Sequence, residues 1–191
     1  AVLDVIAESA NEHGAFDRVS VGFPGVVRRG VTETAHNLDP RWIGFRLNDE
    51  LGQRLCKPVR SANDADVQGL AVIRGTGVEL VLTLGTGLGS ALFVDGRLVP
   101  NLELAHHPFR KGERGDTYED HLGSKGRKEY GKKRWNERLL DAIVELRNLF
   151  SFDRLYLGGG NAKKVQGPLQ ADVELVSNVA GLLGGIALWR D

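Results

Sequence analysis

The sequence has no methionine and a single cysteine, Cys56, among 191 residues. One cysteine cannot form an intramolecular disulfide, which excludes a disulfide-stapled secreted domain and fits a reducing cytoplasm, where we expect this protein. Neither sign of charge is in excess, because 25 basic residues balance 25 acidic ones. This balance excludes the overall basic field of a nucleic-acid-binding protein. No apolar run approaches the length of a membrane span, so we expect no membrane partner.

The pattern that is present alternates between strand and helix signals. Runs rich in β-branched and apolar residues predict strands, whereas apolar residues at intervals of three and four predict helices. The predicted strands are 18–27, 153–157 and 173–177, and the predicted helices are 1–14, 47–55, 65–73, 135–150 and 181–189. In the helix over 135–150 the apolar stripe, which includes Leu149, is expected in the core. The order of elements predicts an α/β fold.

A glycine-rich loop lies between two predicted antiparallel strands. Gly85, Gly87 and Gly89 alternate with other residues, unlike the glycines of a dinucleotide fingerprint, and no Gly-Lys-Ser/Thr follows to make a Walker loop. Downstream, Asp95-Gly96 is a hairpin turn signal. Backbone N–H groups in such a loop, helped by the Thr86 hydroxyl, can bind a phosphate. The alternative is a tight β-turn that needs glycine for positive φ angles.

A carboxylate beside an amide, Asp64 and Asn63, stands where a predicted strand runs into a helix. Either side chain can cap the helix N-terminus. The functional alternative makes Asp64 a general base that accepts a proton from a substrate hydroxyl as a phosphoryl group arrives. A second polar pair, Glu103 and His106, follows the glycine loop. Together these groups supply what phosphoryl transfer to a sugar hydroxyl requires.

Two further features point to phosphate. Gly158, Gly159 and Gly160 end a predicted strand, where N–H groups at a helix start can meet a phosphate or nucleotide. Basic residues are also concentrated between Arg110 and Arg138. One interpretation is a solvated helix and loop surface. The other is a cationic track for a long polyanionic donor.

The chain carries a series of motifs in a fixed order. They are GFPGVV at 22–27, HNLDPRW at 36–42, NDADVQG at 63–69, LGTGLGSALFVDG at 84–96, ELAHH at 103–107 and LGGGNA at 157–162. In this order they resemble the ROK family of sugar kinases, and within that family the polyphosphate glucokinase branch. The similarity runs from Gly22 to the C-terminus.

The resemblance implies an actin-like ATPase (ribonuclease H-like) fold with glucose in a cleft between two α/β domains. We expect these domains over 1–62 and 63–191, with the C-terminal helix returning to the smaller one. The resemblance also implies transfer of phosphate from polyphosphate, ATP or both to the glucose 6-hydroxyl, with Mg²⁺ accompanying the donor and a homodimer as the assembly. Asp64 is then the general base.

The resemblance further implies a role for each remaining site residue. The sugar-binding residues are Asn37, Asn63, Glu103, His106 and Glu119; the phosphate-binding residues are Gly85, Thr86, Gly87 and Gly89; the donor-binding residues are Gly159, Gly160 and Asn161, extended by Lys132, Lys133 and Arg134 of the cationic track. Read from the residues alone, Asn37 is a turn residue and Glu119 a solvated surface acid. His107 and His121 are then solvated or packed.

The chain departs from the family pattern in several places. Position 105 is alanine where the family motif Glu-x-Gly-His has glycine, and the family's zinc-binding cysteine cluster cannot be built from Cys56 alone. We therefore expect no structural zinc, and adjacent His106 and His107 are poorly spaced for a metal site. The family's N-terminal phosphate hairpin has no counterpart, so we expect a longer protein. The rival hypothesis is a truncated or degenerate sugar-binding protein; the family's repressors need a helix-turn-helix domain, which the sequence does not provide.

Overall fold

The computed structural model describes residues 2–36, 38–110, 115–177 and 180–190. The strands are β1 (Val19–Phe23), β2 (Val27–Arg28), β3 (Val31–Thr32), β4 (Val59–Asn63), β5 (Val78–Leu84), β6 (Leu88–Val94), β7 (Arg97–Val99), β8 (Arg154–Gly158) and β9 (Val173–Leu175). The α-helices are α1 (Val2–Glu12), α2 (Leu47–Leu55), α3 (Asp64–Leu70), α4 (Tyr118–Leu122), α5 (Ser124–Phe150) and α6 (Ala180–Ala187). Short 3-10 helices span Pro40–Trp42, Leu104–His106 and Ala162–Lys164. None of these described helices is long and apolar enough to cross a membrane.

The larger sheet has five strands in the order β7-β6-β5-β8-β9. β5 pairs antiparallel with β6, as the glycine-loop pattern predicted, and parallel with β8 on its other side. Because β5 and β8 run in the same direction, the residues that follow both strands meet at one edge of the sheet. A separate parallel pair, β1 and β4, forms a second sheet.

Predicted and observed elements agree best where the signal is local. α2 spans the predicted residues, and β8 lies one residue downstream of its prediction. The first strand ends early, at Phe23, because Pro24 cannot donate a backbone hydrogen bond and Gly25 turns the chain back onto the Phe23 carbonyl. α5 begins well before the prediction, and a break in helical geometry at Gly131 (φ 75°) divides it.

The main core lies between the five-stranded sheet and α5. Leu80, Leu82 and Leu84 of β5 share one face of the sheet and pack in the same cluster as Trp135, whereas Val81 faces the opposite side, as the period of two in a strand requires. Each fully buried leucine contributes about 1.5–3 kcal/mol relative to exposure. This alternation sandwiches the sheet between helices.

The predicted core stripe of α5 needs one correction. Leu149 is 67% exposed, and Phe150 packs against the main cluster instead. The stripe follows the 3.6-residue period from Leu139 through Ile143 and Leu146, and one full turn beyond Leu146 falls on position 150 rather than 149.

A second, smaller core belongs to the first part of the chain. Its buried members are Leu3, Phe23, Val27, Leu47, Leu51 and Leu55. The C-terminal helix α6 links the two parts, because it packs on α3 and its Gly185 carbonyl accepts a hydrogen bond from Ser20 Oγ of β1 at 2.5 Å. Trp189 Nε1 donates to the same Ser20 oxygen at 2.8 Å. Gly185 and Trp189 therefore hold β1 close to α3 through their hydrogen bonds to Ser20.

The close approach of α6 to α3 requires a glycine. A Cβ built on Gly184 would overlap the Val67 carbonyl oxygen. We predict that Gly184→Ala lowers the free energy of unfolding by about 1–3 kcal/mol through overpacking, although alanine alone favours a helix by about 1 kcal/mol over glycine. Thermal and urea denaturation measure the change.

The control for this substitution is Ile186→Ala in the same helix, since Ile186 is 64% exposed. It should change stability by less than about 0.5 kcal/mol. Equal stability of Gly184→Ala and the unsubstituted protein would show that α6 does not pack on α3 as described.

Candidate functional site

A cavity of about 740 Å³ opens where β4, the β5–β6 loop and the end of β8 meet. Its lining residues come from both parts of the chain. They are Pro24, Gly25, His36, Asn63, Asp64, Gln68, Thr83, Gly85, Thr86, Gly87, Leu88, Gly89, Ser90, Leu102, Glu103, Ala105, His106, Glu119, Gly159 and Gly160. The cavity is the candidate site, because most of the polar residues singled out in the sequence share it.

At the junction of β4 and α3, Asn63 caps the helix and Asp64 faces the cavity, so the capping role and the proposed catalytic role belong to different residues. Asn63 is the N-cap of α3: its Oδ1 accepts the Ala65 N–H at 2.8 Å, and its Nδ2 donates to the Gly25 carbonyl at 3.2 Å. Asp64, the first residue of the helix, lines the cavity. Protein on the cleft walls desolvates the carboxylate, and this raises the pKa of Asp64 above 3.8.

The glycine loop has a different requirement for glycine from the one that a tight turn predicts. Gly85, Gly87 and Gly89 are absent from the residues with positive φ in the described chain, so the positive-φ alternative is wrong. The need is for space: a Cβ on Gly89 would press on the Ala65 Cβ, and one on Gly87 would overlap the Glu119 carboxylate. Because these positions have no side chain, the loop backbone itself lines the cavity while packing closely on Glu119 and Ala65.

Polar groups behind the loop hold its carbonyl oxygens. Ser124 Oγ and Asn161 Nδ2 both donate to the Gly85 carbonyl, at 2.7 and 2.9 Å, and the Ser124 N–H donates to the Thr86 carbonyl at 3.0 Å. Glu119 Oε2 accepts the Leu88 N–H at 3.1 Å. Glu119 thus braces the loop as well as lining the cavity, and it is not a solvated surface acid.

The cavity is also lined by the second polar pair, Glu103 and His106, together with His36 from the first part of the chain. Glu103 Oε2 lies 3.8 Å from His106 Nε2 and 4.0 Å from His36 Nε2. The two imidazole rings are 4.1 Å apart between centroids. Asn37, predicted to bind the sugar, lies outside the described residues.

The predicted donor-binding residues occupy three kinds of place. Gly159 and Gly160 line the cavity, whereas buried Asn161 lies behind the glycine loop. Gly159 has a φ of 86°, and a Cβ there would meet the Leu84 backbone. Lys132, Lys133 and Arg134 are exposed on α5 and are not among the lining residues.

A different cationic group stands nearer the loop. Lys164 Nζ donates to Asn161 Oδ1 at 2.8 Å, and Asn161 contacts the Gly85 carbonyl. Desolvation, followed by the charges of Arg127 and Lys163, lowers the pKa of Lys164. Arg127 Nε is buried without a hydrogen-bond partner among the described residues. Mutual repulsion within this group favours a bound anion.

Sequence reasoning missed several lining residues. Gln68 lies one helical turn after Asp64, and that spacing places both on one face of α3. Thr83 immediately precedes the last residue of β5, and His36 immediately precedes Asn37 in the HNLDPRW motif. Each could have been found by extending a motif along its own element. His107 is exposed, and His121 is buried with its Nε2 3.0 Å from Asp116 Oδ2. This agrees with the expectation that they are solvated or packed residues.

A second aspartate lies beside the site without lining it. Asp66 is 1% exposed; its Oδ2 accepts the Asn101 N–H at 3.3 Å, and its Oδ1 has no partner among the described residues. Burial, reinforced by the charges of Glu103 and Asp64, raises the pKa of Asp66 to about 7. The Asn101 side chain in turn binds both backbone groups of Val27.

Comparison with known proteins adds sequence relatives. A family model described as the ROK family matches residues 1–102. A polyphosphate glucokinase of Mycobacterium tuberculosis (strain ATCC 25618 / H37Rv) is 34% identical over 171 residues, which cover 86% of this chain and 64% of that protein. One of Mycobacterium leprae (strain TN) is 32% identical over 200 residues, covering 96% and 60%. The chain spans less than two thirds of these curated relatives.

Solved structures agree with the sequence relatives. The inorganic polyphosphate/ATP-glucomannokinase of Arthrobacter sp. strain KM superimposes with a TM-score of 0.84 at 31% identity, covering 98% of this chain and 81% of that one. A ROK family glucokinase of Streptomyces griseus, solved with glucose and AMPPNP, gives 0.75 at 18% identity, covering 96% and 86%. The second likeness shows the fold alone.

The buried Asp66 generates a prediction about pH. Between 3.8 and about 7 the folded chain holds a proton on Asp66 that the unfolded chain has released. Stability is therefore lost as pH rises through this window, by up to about 4 kcal/mol, and the loss is complete above it. We predict that Asp66→Asn is more stable than the unsubstituted protein at pH 8 and that this advantage shrinks to about 2 kcal/mol at pH 5, because the unfolded chain still releases the Asp66 proton there.

Denaturant unfolding of both proteins between pH 5 and pH 8 measures this difference. Asp17→Asn, at an exposed position, controls for the loss of one negative charge. Parallel stability curves for Asp66→Asn and the unsubstituted protein would contradict the assignment of a neutral, buried Asp66.

Proposed function

We propose a function for this chain, which belongs to the ROK family and has its actin-like ATPase fold, as the motifs predicted. The proposed function is transfer of a phosphoryl group from polyphosphate, ATP or both to the 6-hydroxyl of glucose. One observation carries the proposal: a desolvated carboxylate, Asp64, and the glycine loop Gly85–Gly89 line the same cavity. A base and a phosphate cradle in one cavity are the minimum machinery of a sugar kinase. The names of the relatives support glucose and polyphosphate as substrates.

In this proposal Asp64 accepts the proton of the sugar hydroxyl as that oxygen attacks the terminal phosphorus. The bond from oxygen to phosphorus forms while the bond from phosphorus to the donor's bridging oxygen breaks, so the donor leaves one phosphate shorter. A pKa raised by desolvation makes Asp64 a stronger base than an aspartate in water. Asn63 fixes its position by capping the helix that Asp64 begins.

The sugar would lie between Asp64 and the wall formed by Glu103 and His106. Carboxylate oxygens accept hydrogen bonds from hydroxyls, and imidazole and amide groups both accept and donate them. We propose Asn63, Glu103, His106 and Glu119 as sugar ligands, together with Asn37. Glu119 has one oxygen on the Leu88 N–H and its other oxygen available.

The phosphoryl group would lie against Gly85, Thr86, Gly87 and Gly89, where the absence of side chains lets backbone N–H groups approach. Mg²⁺ prefers carboxylate and phosphate oxygens, and the cavity offers carboxylates at Asp64 and Glu119, so the donor set fits a Mg²⁺ held mainly by the donor. Such an ion would neutralise charge on the transferring phosphate.

We place the remainder of the donor beyond Gly159 and Gly160, toward the cationic group of Arg127, Lys163 and Lys164. None of the ion pairs in the described ranges involves these three residues, so no carboxylate there neutralises the charge that would attract a phosphate. The predicted track of Lys132, Lys133 and Arg134 remains the alternative. The division into domains at 62/63 and the homodimer are likewise proposals; the separate cores of the two parts support the first.

We predict that Asp64→Asn lowers kcat by about 10²–10⁴-fold, because the amide cannot accept the hydroxyl proton. Glucose binding should persist, since asparagine keeps the size and polarity of the side chain. The measurement is glucose phosphorylation by the intact gene product with Mg²⁺ and either donor, with glucose affinity determined by calorimetry. Binding of glucose without turnover in the unsubstituted protein would favour the degenerate sugar-binding protein instead.

A second prediction concerns the donor. Removing both charges in Lys163→Gln/Lys164→Gln should raise the KM for long-chain polyphosphate about tenfold or more, since each charged hydrogen bond is worth about 1.5–3 kcal/mol. Lys132→Gln/Lys133→Gln/Arg134→Gln is the matched comparison. A larger effect of the triple substitution would place the donor along the exposed face of α5 instead.

A further inference from the structure

The cavity is also lined by a cluster of two histidines and a glutamate that the kinase reaction does not fully account for. One nitrogen each from His36 and His106 and one carboxylate oxygen from Glu103 all lie within 4.8 Å of one another. The measured pairs are 4.0 Å for His36 Nε2 to Glu103 Oε2 and 3.8 Å for His106 Nε2 to the same oxygen. The chain brings these groups together from two separate segments.

This set of atoms has the chemistry of a transition-metal site. Two imidazole nitrogens and one carboxylate oxygen form a known ligand set for Zn²⁺ that leaves a fourth position open. Around a tetrahedral Zn²⁺ with bonds of about 2.0–2.2 Å, ligand atoms stand roughly 3.3–3.5 Å apart. The two nitrogen-to-oxygen separations therefore need to close by only about half an ångström. The two nitrogens, which lie within 4.8 Å of each other, need to close by at most about 1.5 Å.

The side chains have the freedom for that small adjustment. His36 and His106 have 48% and 42% of their side-chain surface exposed, and Glu103 has 30%. An ion can therefore reach all three from the cavity. The cation that accompanies a phosphate donor would not compete for this site, because Mg²⁺ prefers six oxygen ligands and binds imidazole poorly.

We propose that His36, Glu103 and His106 bind a single divalent transition-metal ion of the Zn²⁺ type, and that this ion excludes the sugar from the cavity. Metal binding concerns the three side chains alone. Exclusion of the sugar rests on the proposed function, in which Glu103 and His106 bind the sugar. A metal takes the imidazole lone pair of His106 and one carboxylate oxygen of Glu103, and it occupies the space between them where a sugar hydroxyl would otherwise bind. The sequence alone indicated no metal site because the adjacent pair His106 and His107 is poorly spaced; His36 supplies the missing ligand.

Co²⁺ tests the site, because tetrahedral Co²⁺ absorbs visible light strongly and reports its own coordination. The intact gene product, purified without a histidine tag, should bind one equivalent and develop this absorption. We predict that His36→Gln and His106→Gln each weaken Co²⁺ binding by about tenfold or more. His107→Gln is the matched control, since His107 is exposed beside the cluster but is not one of its ligands. Circular dichroism of each variant checks folding.

Glucose supplies the second arm of the experiment. Glucose should raise the apparent Kd for Co²⁺ in proportion to the glucose concentration, and Co²⁺ should raise the apparent Kd for glucose in the same competitive manner. Zn²⁺ should inhibit phosphorylation competitively with glucose, and His36→Gln should relieve the inhibition.

Several results would overturn the proposal. Co²⁺ uptake that His36→Gln leaves unchanged, or that His107→Gln abolishes, would dismiss the three-residue site. Binding of Co²⁺ that is indifferent to glucose would dismiss the exclusion of the sugar. Neither result depends on turnover: absence of kinase activity would refute the proposed function, whereas the Co²⁺ titration decides the metal site independently.

Discussion

The parallel pairing of β5 with β8 is the constraint on which the rest of the site depends. It aligns Thr83 with Gly158, so the glycine loop that follows β5 and the glycines that follow β8 arrive at the same edge. Asn161 then joins them: its N–H donates to the Leu84 carbonyl, and its side chain holds the Gly85 carbonyl at 2.9 Å. The buried leucines of β5 against α5 stabilise this pairing, and thereby fix two segments, far apart in sequence, that we propose to bind phosphate.

Much of this arrangement follows from local patterns in the chain. α2 and β8 were predicted almost to the residue because a helical or buried apolar run, bounded by a proline or glycine, needs no distant partner to be recognised. The cavity residues Asp64 and Glu103 lie in motifs that keep their order along the chain. Ordered motifs carry tertiary information that periodicity does not, and for this reason they were the better guide to the site.

What could not be predicted depends on contacts between distant residues. The role of glycine at Gly89 is set by Ala65, and the His36 ring contacts His106, which belongs to the other part of the chain. Our proposal that Lys164 contacts the donor rests on Asn161, which binds Lys164 and whose side chain also reaches the Gly85 carbonyl of the loop. None of these relationships has a local signature.

The distribution of charge explains how an acidic cavity can serve an anionic donor. Asp64, Asp66 and Glu103 are close enough for Asp66 to sense both others, and their combined charge would repel phosphate. A pKa of about 7 leaves Asp66 largely neutral below that pH, which removes one of these charges where the carboxyl is buried. The negative charge of the proposed donor would then be balanced by the cationic group around Lys164 and by backbone N–H groups. These N–H dipoles are already oriented by the fold and need no reorganisation. Asp64, unlike the buried Asp66, opens onto the cavity, which is where its proposed role requires it.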